Sequence, residues 1–127
     1  MQDFFFIRNA GKFERIGFRD ILYVEACKNY SKIVTDKKSY IVLVTMKKVE
    51  SALPFHLFCR VHRSFIVSLE NISAFDNNSV YLSNREIPIG DQYRNHLEKR
   101  VLIVQRDQAR EEYPCSLQKM TLLKGKD

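Results

Sequence analysis

Short apolar runs separated by turn-forming residues make up the first third of the chain. Residues 4–44 are rich in β-branched and aromatic types, which favours consecutive short strands over helices. The strands are predicted at 4–8, 12–16, 21–26, 30–35 and 39–44. Asn9-Ala10-Gly11-Lys12 and Asp36-Lys37-Lys38 have the composition of tight turns. The pattern therefore predicts a β-meander over this part of the chain.

The period of the apolar positions changes after Thr45. Met46, Val49 and Leu53 recur at helical spacing behind a threonine that can cap a helix, and Pro54 stops the turn. One short helix is predicted there. After it come a dense block at 58–67 and further strands at 72–75, 80–82 and 85–89, with turns at 77–78 and 83–84.

A second, amphipathic helix is predicted to begin near Gly90. Tyr93, Leu97 and Val101 recur at i, i+4 and i+8 and would form its apolar face. Charged residues lie on the opposite face, namely Arg94, Glu98 and Arg100. Beyond these elements, residues 105–127 are polar and read as a C-terminal tail that is partly helical or loose. The expected fold is mostly β, with small antiparallel sheets and two helices, in one domain at 1–104.

Charge changes the picture, because 21 Lys and Arg stand against 15 Asp and Glu and give a net charge of +6. Residues 1–104 hold 16 of the basic and 11 of the acidic residues, so the basic excess belongs to the predicted domain. A basic domain favours a polyanionic partner. Cys27, Cys59 and Cys115 are widely separated and show no metal-ligand or disulfide spacing, which indicates a reducing, cytoplasmic compartment.

Several classes of protein lack support in the sequence. No stretch approaches the roughly 18 apolar residues of a membrane span. The three histidines, His56, His62 and His96, have no nucleophile motif around them, and four glycines leave little from which to build a nucleotide loop. We therefore expect neither catalysis nor a metal nor a cofactor.

The most distinctive local motif is His62-Arg63-Ser64, a polar triplet between the apolar flanks of the 58–67 block. Arg63 can grip a phosphate or a guanine edge, and Ser64 can donate to a phosphate. His62 can do either or can orient its neighbours. The plainer interpretation of His62 is a structural histidine that bonds to backbone carbonyls.

Two further polar clusters flank this triplet in the sequence. Lys28, Asn29, Tyr30 and Lys32 are expected at the tip between two strands, where Asn can read adenine and the others suit phosphates; an ordinary solvated hairpin end is the alternative. Gln92 and Arg94 lie in the predicted first turn of the second helix, where backbone N–H groups attract phosphate. In the plainer interpretation, Asp91 caps that helix, Tyr93 packs in the core and Arg94 is a surface charge.

Three motifs in this order resemble the LytTR family of DNA-binding domains. They are Ile-Leu-Tyr-Val-Glu-Ala with Lys-Asn-Tyr at 21–30, Phe-Cys-Arg-Val-His-Arg-Ser-Phe-Ile-Val at 58–67, and Ile-Pro-Ile-Gly with Tyr-Arg at 87–94. The resemblance covers about residues 4–104. It implies an elongated fold of small sheets that inserts loop residues into successive major grooves and bends the duplex. It also implies DNA contacts at 28–30, at His62 and Arg63, and at 91–94.

The chain departs from the family pattern at three places. Ser68 stands where Asn is common, Gly90 where Ser is usual, and Asp91-Gln92 where a basic residue often lies. Gln92 can still address adenine, whereas Asp91 would repel phosphate unless it caps the helix.

The leading expectation is a bacterial transcription regulator that binds promoter DNA sequence-specifically, as a dimer on paired half-sites and without a cofactor. It would stand alone or work with a receiver domain or sensor partner. The alternative is a protein-interaction or sensory β-module that kept the fold without binding DNA, which Asp91 favours. RNA binding is weaker, because the sequence has no aromatic pair set for base stacking.

Overall fold

The computed structural model describes residues 2–105 of the chain, so all but the first residue of the predicted tail lies outside the described residues. Within that part the strands are β1 (Phe4–Asn9), β2 (Lys12–Gly17), β3 (Ile21–Cys27), β4 (Tyr30–Thr35), β5 (Ser39–Val42), β6 (Phe58–His62), β7 (Phe65–Ser68), β8 (Ala74–Phe75), β9 (Ser79–Leu82) and β10 (Arg85–Pro88). The helices are α1 (Met46–Ala52) and α2 (Arg94–Arg100).

These strands form three antiparallel sheets. A five-stranded sheet has the order β5-β4-β3-β7-β6, a three-stranded sheet has the order β10-β9-β8, and β1 pairs with β2 alone. The expected mostly β fold with small antiparallel sheets and two helices is confirmed.

The prediction of one meander over residues 4–44 is wrong in its connectivity, because β1 and β2 form a sheet of their own. After Gly17 the chain makes a 3-10 turn at Phe18–Asp20, in which Phe18 is buried. This turn redirects the chain, so β3 pairs with β4 and β7 instead of β2. The meander is therefore limited to β3, β4 and β5.

Two local features are found where the sequence predicts them, namely the turn between β1 and β2 and the cap of α1. Ala10 and Gly11 join β1 to β2 with φ angles of 54° and 79°, as a two-residue hairpin turn with positive φ requires. The Thr45 side chain accepts a hydrogen bond from the Lys48 amide at 3.2 Å and so caps α1. Met46 and Val49 of this helix are buried.

The second helix is shorter than its apolar spacing predicted. It begins as a 3-10 turn at Asp91–Tyr93 and continues as α2, so Val101 lies beyond its end and Leu97 is its buried anchor. Arg100 was expected on the solvated face, yet it donates to the Phe58 carbonyl at 3.1 Å and to the Phe55 carbonyl, and it stacks on the Phe55 ring. The guanidinium therefore fastens α2 to the start of β6.

The five-stranded sheet is covered on both faces. One face, which carries Val24 and Ile66, packs against α1 and the β1–β2 hairpin. The other face, which carries Val61 and Val67, packs against the three-stranded sheet and α2. All four side chains are at most 1% exposed, and burial stabilises each by about 1.5–3 kcal/mol. The central sheet is thus the rigid support from which the polar turns project.

Candidate nucleic-acid interface

Lys28 and Asn29 form the turn between β3 and β4. Cys27 pairs with Tyr30 in the strand register, so only these two residues lie in the turn, and both are exposed. Lys28 has φ 53°, a left-handed conformation that costs a residue with a Cβ about 1–2 kcal/mol. The predicted protruding tip is therefore present, and its backbone is held in a conformation that most side chains disfavour.

Tyr30 and Lys32 lie on β4 behind this tip and are half-buried. They alternate with the buried Ser31, so they share one face of the strand. Lys32 is directly opposite Glu25 on β3 in the strand register, and the Glu25 carboxylate lies 3.4 Å from an Nη of Arg85. Of the predicted cluster, Lys28 and Asn29 are the outermost members.

Arg63 and Ser64 form the corresponding turn between β6 and β7, and His62 is the last residue of β6 before it. Arg63 is exposed, whereas His62 and Ser64 are half-buried. The Ser64 amide donates to His62 Nδ1 at 3.0 Å, and the imidazole lies edge-on to Phe65 at a centroid distance of 5.7 Å. Because Nδ1 accepts this bond, the neutral ring carries its proton on Nε2. The plainer interpretation of His62 gave it bonds to backbone carbonyls, whereas the bond found here comes from a backbone amide.

A long-range strand pairing brings these two turns together. β3 runs antiparallel to β7, with Glu25 opposite Phe65, and the Ala26 amide continues the ladder by donating to the Ser64 carbonyl at 2.9 Å. The end of β3 therefore lies beside the start of β7. The Lys28-Asn29 turn and the Arg63-Ser64 turn consequently leave the same end of the five-stranded sheet.

The segment after β10 adjoins the second turn. The Gly90 amide donates to the Val61 carbonyl at 2.8 Å, and an added Cβ on Gly90 would lie 3.7 Å from atoms of His62. A shallow hollow of about 180 Å³ lies between His62 and Arg63 on one side and the 90–93 segment on the other. Gln92 is exposed at this place.

The guanidinium of Arg94 already has partners within the protein. Its Nε donates to the Asn77 carbonyl at 2.6 Å, and an Nη lies 3.1 Å from the Asp91 carboxylate. The Asp91 carboxylate makes no helix-capping bond; it stays exposed and pairs with Arg94. This pairing leaves Gln92 as the freer polar side chain of the third cluster.

The loop that presents the Asn77 carbonyl is itself held by a carboxylate. Asp76 accepts hydrogen bonds from the amides of Asn78 and Ser79 at 2.8 and 2.9 Å and from the Tyr81 hydroxyl at 3.0 Å. The two backbone bonds are the main reason why the pKa of Asp76 lies below its usual value. The contact between this loop and Arg94 therefore has an ordered acceptor.

Sequence reasoning missed Arg60, which belongs to this region. Its guanidinium donates to the carbonyls of His62 and Arg63 and to the Glu50 carboxylate. A strand pattern gives no signal for such bonds, because the partner carbonyls and Glu50 meet only in the folded chain.

The assembled surface offers cationic groups, amides and an imidazole N–H, which suit phosphates and base edges. Across residues 2–105 no group of three or more His, Cys, Asp or Glu is arranged to hold a metal ion. Within the same residues no helix is long and apolar enough to cross a membrane.

Comparisons with known proteins agree with this architecture. The model of the LytTr DNA-binding domain family matches residues 11–103. The sensory transduction protein LytT of Bacillus subtilis is 33% identical over 87 residues, which are 64% of this chain and 36% of that protein. LytT of Bacillus anthracis is 29% identical over 90 residues, or 66% of this chain and 37% of that protein. The chain thus spans about a third of the length of these relatives.

A solved LytTr DNA-binding domain from Bacillus cereus has the same fold. It superposes with a TM-score of 0.68 and 20% identity, over 79% of this chain and 97% of that one. The family model covers most of the residues that form the three sheets, including both turns and the 90–94 segment. The chain therefore belongs to the LytTR family of DNA-binding domains.

Proposed function

We propose that this domain binds duplex DNA sequence-specifically at promoters and acts as a bacterial transcription regulator in the cytoplasm. The observation that carries the proposal is the meeting of two polar two-residue turns at one end of a sheet that is buried on both faces. Rigid supports of this kind are needed when side chains must meet base edges in a fixed register. Membership in a DNA-binding family supports the same conclusion.

The side chains divide into reading and gripping groups. Asn29 on the outermost turn can pair with N6 and N7 of an adenine. Arg63 is exposed on the Arg63-Ser64 turn and is assigned to a phosphate, the His62 Nε2–H is assigned to a base edge, and the Ser64 hydroxyl is a further donor toward a phosphate. Lys28 supplies a flanking cation.

Four more residues complete the proposed contacts. Tyr30 and Lys32 offer a hydroxyl and an ammonium group to phosphates along β4, and Gln92, exposed beside Arg63, is proposed to address an adenine. Arg94 reaches phosphate only by exchanging its Asp91 or Asn77 partner, so its contribution is the smallest of the set.

The direct test selects bound sequences from random duplex DNA with the full chain. Recovery of a paired motif supports promoter-type recognition and a dimer on two half-sites. Recovery of no motif contradicts it. A receiver domain or sensor partner is part of the proposal for a longer protein, because the curated relatives are about three times as long as the matched region.

Salt dependence provides a second test. Contacts to about six phosphates should lower the affinity on the order of a thousandfold between 50 and 200 mM salt. Fluorescence anisotropy with a labelled duplex measures this slope. A flat salt dependence would favour the rival, a protein-interaction or sensory β-module, for which the internal pairing of Arg94 with the exposed Asp91 is the specific observation.

A further inference from the structure

Arg60 lies behind the Arg63-Ser64 turn, and all three nitrogens of its guanidinium donate hydrogen bonds within the protein. Arg60 lies on β6 with a side chain that is 16% exposed. Its Nε donates to the His62 carbonyl at 3.0 Å, one Nη donates to the Arg63 carbonyl at 2.5 Å, and the other Nη donates to Glu50 Oε1 at 2.7 Å. Three nitrogens of one rigid, planar group therefore hold the turn on one side and α1 on the other.

We propose that Arg60 is a positioning residue for the DNA-binding turn, and this inference rests on the proposed function. Arg60 does not touch the duplex. It fixes the carbonyls of His62 and Arg63, and these two peptide units determine the direction in which the two side chains project. Its loss should therefore move the short His62 donor away from a base edge, whereas the longer Arg63 side chain can still reach its phosphate. Discrimination between DNA sequences should fall more than attraction to DNA.

The local strand geometry explains why such a brace is needed. The pairing of β6 with β7 shifts its register between Arg60 and His62, so Val61 has no direct partner on β7. An extra residue of this kind interrupts the ladder and re-aims the neighbouring side chains. The Val61 carbonyl turns away from the hairpin and accepts from the Gly90 amide. The carbonyls of the next two residues, His62 and Arg63, accept instead from the Arg60 guanidinium.

Glu50 determines where the guanidinium lies. The carboxylate is on α1 and is 45% exposed, so screening by water limits the attraction in this ion pair. Its geometric effect remains, because it holds the third nitrogen while the other two face the turn. Lysine cannot replace this arrangement, since one ammonium group cannot reach two carbonyls and a carboxylate in a single plane.

The experiment compares Arg60→Lys and Arg60→Gln with the full-length parent. Affinities are measured on the selected duplex and on a scrambled duplex at two salt concentrations, and amide exchange at Ser64 is followed by NMR in the free protein. Arg60→Lys should lower the ratio of the two affinities about tenfold, the loss expected when one base contact is misplaced. Both variants should keep the parental salt slope, and the Ser64 amide should exchange at least several-fold faster.

Arg19→Lys is the matched control. Arg19 also pairs with a carboxylate, that of Glu70, and it lies beside Asp36 at the other end of the sheet. It should leave the affinity ratio and the salt slope unchanged. If Arg60→Gln does not fold, Glu50→Gln keeps both carbonyl bonds and should lower the affinity ratio about twofold to threefold, a fraction of the single-contact loss.

Two outcomes would overturn the proposal. A folded Arg60→Lys with the parental affinity ratio means that the brace does not position the turn, even if the variant melts earlier. A salt slope that falls by about one in Arg60→Gln makes Arg60 a phosphate contact instead. If the parent itself prefers no duplex, the proposed function fails, whereas faster exchange at Ser64 in the variants still supports the brace.

Discussion

The two turns at the end of the central sheet have the same length but are held in different ways. The Arg63-Ser64 turn is fixed by the Arg60 guanidinium, by the bond from the Ser64 amide to His62 and by the ladder bond to Ala26. In the described part of the chain, neither Lys28 nor Asn29 forms a side-chain hydrogen bond. The first turn is thus shaped by its backbone, with Lys28 in the left-handed region.

This difference indicates a division of labour between the turns. A braced turn presents its side chains at a fixed place, which suits the Arg63 contact to the phosphate backbone and a His62 donor that must meet a base edge. An unbraced tip lets a short amide side chain adapt to a base edge, at the cost of ordering it on binding. The following predictions test that contrast.

The largest expected contrast concerns the cysteines on the strands that lead to the two turns. Cys27 directly precedes the unbraced turn and is partly exposed, whereas Cys59 on β6 is 2% exposed. Burial raises the pKa of the Cys59 thiol to about 11, so about one such thiol in a thousand is ionised at pH 8. Iodoacetamide at pH 8 should therefore alkylate Cys27 at least a hundredfold faster than Cys59, as judged by peptide mass spectrometry.

Unfolding in urea is the control for this reaction, because it should make the two alkylation rates similar. Rapid modification of Cys59 in the folded protein would mean that the strand behind the braced turn opens readily.

The second contrast separates reading from gripping. Asn29→Ala should cost ~1–3 kcal/mol on the preferred duplex and little on scrambled DNA, because only the adenine contact is lost. Arg63→Ala should weaken binding to all duplexes alike and lower the salt slope by about one, because a phosphate contact is lost. Competition titrations at two salt concentrations measure both effects.

Asn84→Ala and Lys37→Ala are matched controls. Both residues are exposed in turns. Asn84 lines one hollow together with Asp36, and Lys37 lines a second hollow. Both hollows lie at the opposite end of the sheet from the proposed site. Each should bind like the parent. If Arg63→Ala changes the preferred sequence and Asn29→Ala does not, the roles of the two turns are the reverse of those assigned.

The smallest effect is expected from the backbone of the unbraced turn. Lys28→Gly removes the left-handed strain but raises the chain entropy of the unfolded state, so the unfolding free energy should rise by about 0–1 kcal/mol. Lys28→Val should lower it by about 1 kcal/mol or more, since a β-branched residue tolerates that φ poorly. Urea denaturation measures both. A stabilised Lys28→Val would show that the turn is not strained.

Local chemistry made much of this fold predictable. The Ala10-Gly11 turn, the Thr45 cap and the Lys28-Asn29 tip each depend on residues within a few positions of one another, and sequence patterns report such short-range preferences. The types of the elements and the polar character of both turns followed from the same information.

Long-range pairing explains what was missed. The separation of β1 and β2 from the meander depends on burial of Phe18, and the meeting of the two turns depends on β3 pairing with a strand some forty residues away. Arg60 and Arg100 looked like ordinary strand and surface residues, because the carbonyls they bind are assembled only by the fold. No short window of sequence contains those partners.

The strand order of the central sheet fixes the distance between the tips of the two hairpins, and this distance limits which base pairs of a duplex both tips can contact. The two hairpins are neighbours, and strands lie about 4.8 Å apart, so their tips are separated by about 10 Å. That distance corresponds to about three base pairs, whereas one helical turn of B-DNA spans about 34 Å. On a duplex the paired turns would therefore address neighbouring base pairs. Contact with a groove one turn away must come from elements beyond these tips, or from a second copy of the domain.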